Sequence, residues 1–108
     1  MAHTSESVRA LIERQIAGEW KPESGHRLDL RTCLVEPKRK TMEVLVGNER
    51  RTDDLWLVLE ERPGEDQRGY RIVYDEVAEE FGLAIDGRGD RLVVIGLYGD
   101  FMQTLAAM

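Results

Sequence analysis

The chain has 108 residues and a net charge of −6. That length suits one globular domain over 1–108, burying roughly 60–70% of its unfolded surface around a single core. Three features exclude whole classes. One cysteine cannot make an internal disulfide, no apolar run nears the roughly 20 residues of a membrane helix, and the first ten residues lack the basic-then-apolar layout of a signal peptide. A cytoplasmic protein without membrane contact is expected. The charge is unevenly placed: residues 1–54 carry ten basic and ten acidic side chains, residues 55–108 five and eleven. An acidic second half repels nucleic-acid phosphates and draws basic partners inward.

Residues 4–18 read as an amphipathic helix. Val8, Leu11, Ile12 and Ile16 fall on one stripe, Thr4 or Ser5 offers a cap, and Gly18 is placed to end it. Residues 28–36 read as a strand that Pro37 stops, with Lys38, Arg39 and Lys40 on a turn where Arg39→Ala would cost little. Residues 42–46 make a second strand, and 47–54 a charged loop. Residues 55–61 are the strongest strand, with Leu55, Leu57 and Leu59 pointing one way and Trp56 and Val58 the other. Such two-sided strands are covered on both faces.

A breaker-rich turn at 63–69 leads to a strand at 70–75 and an acidic turn at 76–80. Phe81, Leu83 and Ile85 alternate through the next strand, and DGRGD at 86–90 is a hairpin connection. Residues 91–97 are again apolar on both faces. Asp100 and Gln103 have the spacing of a capping box for a final helix, whose apolar stripe is Phe101, Leu105 and Met108. The fold class expected is α+β: an N-terminal helix, about six strands in a curled antiparallel meander resembling a half-barrel, and a short C-terminal helix. Leu57 and Val94 should lie deep in central strands. Every connection is too short for a parallel crossover helix.

Few residues suggest chemistry. His3 sits in the N-terminal tail and His26 in a loop, with no second histidine near either and no metal-ligand spacing. Cys33 falls in the predicted first strand as a small buried residue; a nucleophile needs an electropositive setting and a base. Gly87 and Gly89 lie between two strands, so they make no phosphate loop, and no cofactor is expected. The basic tips at 38–40 and 50–51 lack an aromatic platform for nucleic acid.

Two groupings remain. Asp75, Glu76, Glu79 and Glu80 are the densest acidic cluster, a candidate docking patch for a protein. Trp20, Trp56 and Tyr74 can wall a pocket in a curled sheet. The function expected is a non-catalytic protein-binding module, an acidic partner or inhibitor of a basic protein, with a second copy of the chain as another partner. The alternative is a small-ligand-binding half-barrel lined by the three aromatics.

Overall fold

A computed structural model describes residues 3–22, 29–61, 69–87 and 91–108. The first helix, α1 (Ser5–Ile16), begins where the sequence places it. The Thr4 hydroxyl accepts the Ser7 amide, and the Ser7 hydroxyl in turn accepts the amide of Thr4. Val8, Ile12 and Ile16 are buried, whereas Leu11 is only partly so. Ala17 and Gly18 both take positive φ and end the helix, the left-handed turn expected of Gly18 starting one residue early.

The predicted first strand is largely a different element. Asp29 accepts the Arg31 amide at 3.1 Å and its carbonyl receives the amides of Thr32 and Cys33. One turn of helix results, α2 (Leu30–Cys33), because a capping aspartate offers the backbone a local partner in place of a ladder. A 13-residue strand, β1 (Leu34–Val46), follows and runs straight through Pro37. The pairing of β1 with its neighbour shifts register between Leu34 and Lys38. A proline is tolerated at such an irregularity because no ladder donor is required there. Lys38, Arg39 and Lys40 therefore lie within a strand, opposite Leu57, Trp56 and Leu55, and not on a turn.

The expected charged loop is also strand. Gly47, with φ of +60°, opens a two-residue turn, and β2 (Glu49–Glu60) returns along β1 with Val46 opposite Glu49. The positive φ at the first turn position is the one for which glycine is favoured in a tight hairpin. Next come β3 (Arg71–Asp75), β4 (Glu80–Asp86), β5 (Leu92–Gly99) and the closing helix α3 (Phe101–Ala106). The capping box of Asp100 and Gln103 is formed as expected. Residues 88–90 of the DGRGD segment, most of the 63–69 turn and His26 lie outside the described residues.

Helices and sheet are segregated, so the fold is α+β. Among the described residues five strands form the sheet, not six, and they close into a barrel in chain order. Successive strands are antiparallel, but β1 meets β5 in parallel at Glu43–Val93 and Val44–Val94. The expectation of a wholly antiparallel, open meander fails for a geometric reason. Each hairpin reverses direction, so after an odd number of strands the last runs the same way as the first.

Closure makes two cores. Met42, Val44, Leu55, Leu57, Val73, Ala84, Leu92 and Val94 fill the barrel interior. The interior is narrow: a Cβ on Gly82 would stand 2.5 Å from the Gly96 carbonyl oxygen, so only glycine fits. The second core lies between the barrel's outer face and the helices, and includes Val8, Ile12, Leu30, Trp56, Phe81, Phe101 and Leu105. The two-sided apolar strands are thereby explained, since one face serves each core. Among the described residues, no helix is long and apolar enough to cross a membrane.

Candidate functional site

The three aromatics expected to wall a pocket belong to the second core. Strand register sets Arg39 opposite Trp56, Trp56 opposite Tyr74 and Tyr74 opposite Phe81, a row across four strands on the barrel's outer face. Tyr74 and Phe81 have ring centroids 4.6 Å apart, and Phe101 of α3 meets Phe81 edge-on at 5.7 Å. The Arg39 guanidinium lies 5.3 Å from the Trp56 ring centroid. Trp56 is buried, with no acceptor for its indole N–H among the described residues. Trp20 packs at the edge of the same core, and its ring carries the Arg31 guanidinium at 5.1 Å. The three residues stand in and against packed core.

The acidic cluster is divided. Asp75 is buried, and one of its carboxylate oxygens accepts the amides of Val77 and Ala78, shaping the turn into β4. Glu76 pairs with Arg39 and also accepts the His3 amide at 2.8 Å. Its charge is thus answered from β1, a partner that sequence order conceals. Glu79 is exposed, with φ of +56°, and Glu80 is half-buried at the start of β4. His3 completes this corner. Its ring meets Tyr74 edge-on at 5.4 Å and lies within hydrogen-bond distance of the Ser7 hydroxyl.

Two titratable groups are perturbed. The Cys33 thiol is raised above its ordinary value, chiefly by burial, which favours its neutral form over the thiolate that a nucleophile needs. Its sulfur faces the Glu61 carbonyl oxygen at 3.8 Å and the Thr32 hydroxyl at 3.9 Å. The Tyr74 phenol is raised by burial first, then by Glu79 and Asp75. Among the described residues, no group of three His, Cys, Asp or Glu side chains could hold a metal ion.

A groove of about 340 Å³ runs between α1 and the start of β1, lined by Ser5, Glu6, Arg9, Ala10, Glu13, Glu36 and Pro37. That is near the low end of the roughly 300–1,000 Å³ of small-ligand sites. It lies beside the irregular pairing around Pro37. The Pro37 carbonyl accepts the Ser5 hydroxyl at 2.7 Å and ties β1 to the head of the helix. Ala10 supplies exposed apolar surface with the buried Pro37 beside it, and among the described residues three carboxylates stand around it against one guanidinium. Arg9 is committed to Glu13 at 3.3 Å. Glu6 and Glu36, on opposite walls, make no ion pair among the described residues. The groove escapes sequence reading because its walls are thirty residues apart. Glu6 and Glu13, seven residues apart on α1, look like an ordinary solvated face.

No protein-family model matches the chain, and no curated protein or solved structure matches it either.

Proposed function

We propose that the chain is a non-catalytic protein-binding module that receives a basic partner, and that the groove between α1 and β1 is where it does so. The observation that carries this reading is the charge of the groove: Glu6, Glu13 and Glu36 line it, with Arg9 alone among the described residues to oppose them. A basic side chain can lay its aliphatic stem on Ala10 and present its charge to the rim. The acidic turn lies near the head of α1: His3 touches Glu76, and Ser5 is two residues along, at most about 7 Å away. The net charge of −6 adds long-range attraction for a basic protein and speeds encounter at low salt.

An array of immobilised twelve-residue peptides, graded from no basic residue to four, tests the reading. Binding should rise with basic charge, fall between 50 and about 300 mM salt as the Debye length shortens, and weaken in a Glu6→Gln, Glu36→Gln double variant. Binding that is indifferent to peptide charge, or unchanged in the variant, would overturn it.

A further inference from the structure

We infer that the chain pairs with a second copy of itself through the free edge of β2. The two strands run antiparallel over residues 50–54, with Thr52 opposite Thr52 on a twofold axis. Two observations carry this. The first is the edge itself. β2 extends from Glu49 to Glu60, but β3 pairs with it only between Trp56 and Glu60. On that side residues 49–54 meet no strand among the described residues, and all six are exposed. A strand in this state leaves backbone N–H and C=O groups ready to pair with another strand.

The second is the order of charge along the edge, Arg50, Arg51, Thr52, Asp53, Asp54. Read backwards, the segment is its own complement. With Thr52 on the axis, Arg50 of each copy faces Asp54 of the other, and Arg51 faces Asp53. The twofold repeats each pair, so every charge in the segment meets its opposite. Opposite charges directly across antiparallel strands favour the pairing, and like charges oppose it. Other registers lose this. A slip of one residue brings Glu49 against Asp54 or moves Arg50 onto Leu55. A slip of two sets Arg51 on Arg51 or Asp53 on Asp53. Charge that merely kept strands apart would be of one sign, so as to repel in every register; in this order it selects one partner strand and one alignment. Little competes within the single copy. Arg51 holds Asp53 on its own strand at 3.3 Å, with both half exposed, and Arg50 makes no ion pair among the described residues. Arg51 and Asp53 share a face of the strand, so the twofold joins two such pairs into a ring of alternating charge.

So short a ladder makes a weak dimer, and sedimentation velocity at about 5 and 500 µM in about 150 mM salt tests it. The chain should shift from monomer towards dimer, and amide NMR shifts on concentration should centre on residues 49–55. Two double variants, Arg50→Asp with Arg51→Asp and Asp53→Arg with Asp54→Arg, should each weaken self-association about tenfold or more, because like charges then face each other throughout. Mixed in equal amounts, the two variants should associate again, since each charge once more meets its opposite. The residues across from these positions on β1 are Leu45, Val44, Met42 and Thr41, all uncharged, so the fold should hold, and an unchanged cooperative melt at low concentration confirms that.

A chain that stays monomeric at 500 µM overturns the proposal. So does a dimer that survives both double variants, or one that only Ile95→Ser abolishes, which would place the contact on β5. A mixture that fails to restore association also overturns it, because the alignment is then a different one. None of these residues lines the groove between α1 and β1, so each outcome leaves the basic-partner reading to its own test.

Discussion

Phe81 and Ile85 stand on the same strand and the same outer face of the barrel, four residues apart, yet Phe81 is 1% exposed and Ile85 38%. The difference is the helices. Around Phe81 the outer face is roofed by α1 and α3, which are pinned to each other by the Gln15 side chain accepting the Phe101 amide at 2.6 Å. Around Ile85 no helix among the described residues is seen to roof the sheet. The irregularities of the strands follow the same division. Pairing of β2 with β3 leaves Val58 without an opposite residue, and Val58 is fully buried. Pairing of β4 with β5 leaves Ile95 and Tyr98 without opposites, and these are 40% and 41% exposed. An extra residue in a strand is pushed out of the ladder in either case. Where a helix waits, it adds to the core; where none does, it meets water.

The largest test of this division is Phe81→Ala, which should cost about 3–5 kcal/mol by removing a ring packed on Tyr74 and Phe101 and leaving a cavity. Leu57→Ala, inside the barrel, should cost about 2–5 kcal/mol for the same reason. Ile85→Ala should cost much less than either. Urea melts of the three variants give the ranking. An Ile85 loss equal to that of Phe81 would mean that the open side is covered in solution.

Alkaline pH sharpens the comparison, because both perturbed groups belong to the roofed side. Cys33 and Tyr74 are raised above ordinary values of 9.0 and 10.0, so folding favours their neutral forms. That contribution is fully present below the ordinary values and is lost as pH climbs through the raised ones. Stability should therefore hold to about pH 9 and then fall, by at most about 1.4 kcal/mol per pH unit for each group. Urea midpoints from pH 7 to 11, with Cys33→Ala and Tyr74→Phe combined, check it: the combined variant should lose much of the alkaline slope. An unaltered slope would place the titrating groups elsewhere.

Elements whose apolar period matches their environment are legible from sequence. The stripe of α1, the cap of α3, the strands near 70–75, 81–85 and 91–97, and the burial of Leu57 and Val94 all follow from local pattern. The first half of β2 does not, because residues 49–54 have no apolar alternation; backbone pairing with β1 makes them a strand while their side chains stay in water. Pro37 misleads because its effect depends on a register shift against a strand twenty residues away. Closure of the barrel depends on the count of reversals, so reading 28–36 and 42–46 as separate strands also hides the parallel seam. At the candidate site, the acidic residues of the 75–80 turn are visible, but the partners of Asp75 and Glu76 are not. One is the turn's own backbone, and the other is Arg39, distant in sequence.

Arg39 belongs to the boundary between the two sides. Placed on a turn, it would be dispensable; within β1, it covers Trp56 and neutralises Glu76. Arg39→Ala should cost about 1 kcal/mol, combining a cation–π contact with a partly exposed ion pair. Arg39→Lys should recover only part of this, since an ammonium stacks less well on indole. A loss below about 0.3 kcal/mol would show that the stacking and the pair contribute nothing net.

The smallest effect belongs to the open side. Ile95→Ser removes an apolar side chain that already meets water and that sits at a bulge, so neither a cavity nor a broken ladder follows. The change in stability should lie within about 0.5 kcal/mol. The same variant asks whether a second copy of the chain covers this face. Ile85, Ile95 and Tyr98 are exposed, and a dimer formed through them would make the melting temperature rise with protein concentration. Melts at 5 and 500 µM, on the chain and on Ile95→Ser, separate the cases. Concentration-independent melts with a neutral substitution leave the barrel with one roofed and one open side. A concentration-dependent melt that Ile95→Ser abolishes would mean that the contrast between Phe81 and Ile85 holds only for the isolated chain, and that burial around Ile85 is supplied by the partner instead of by a helix.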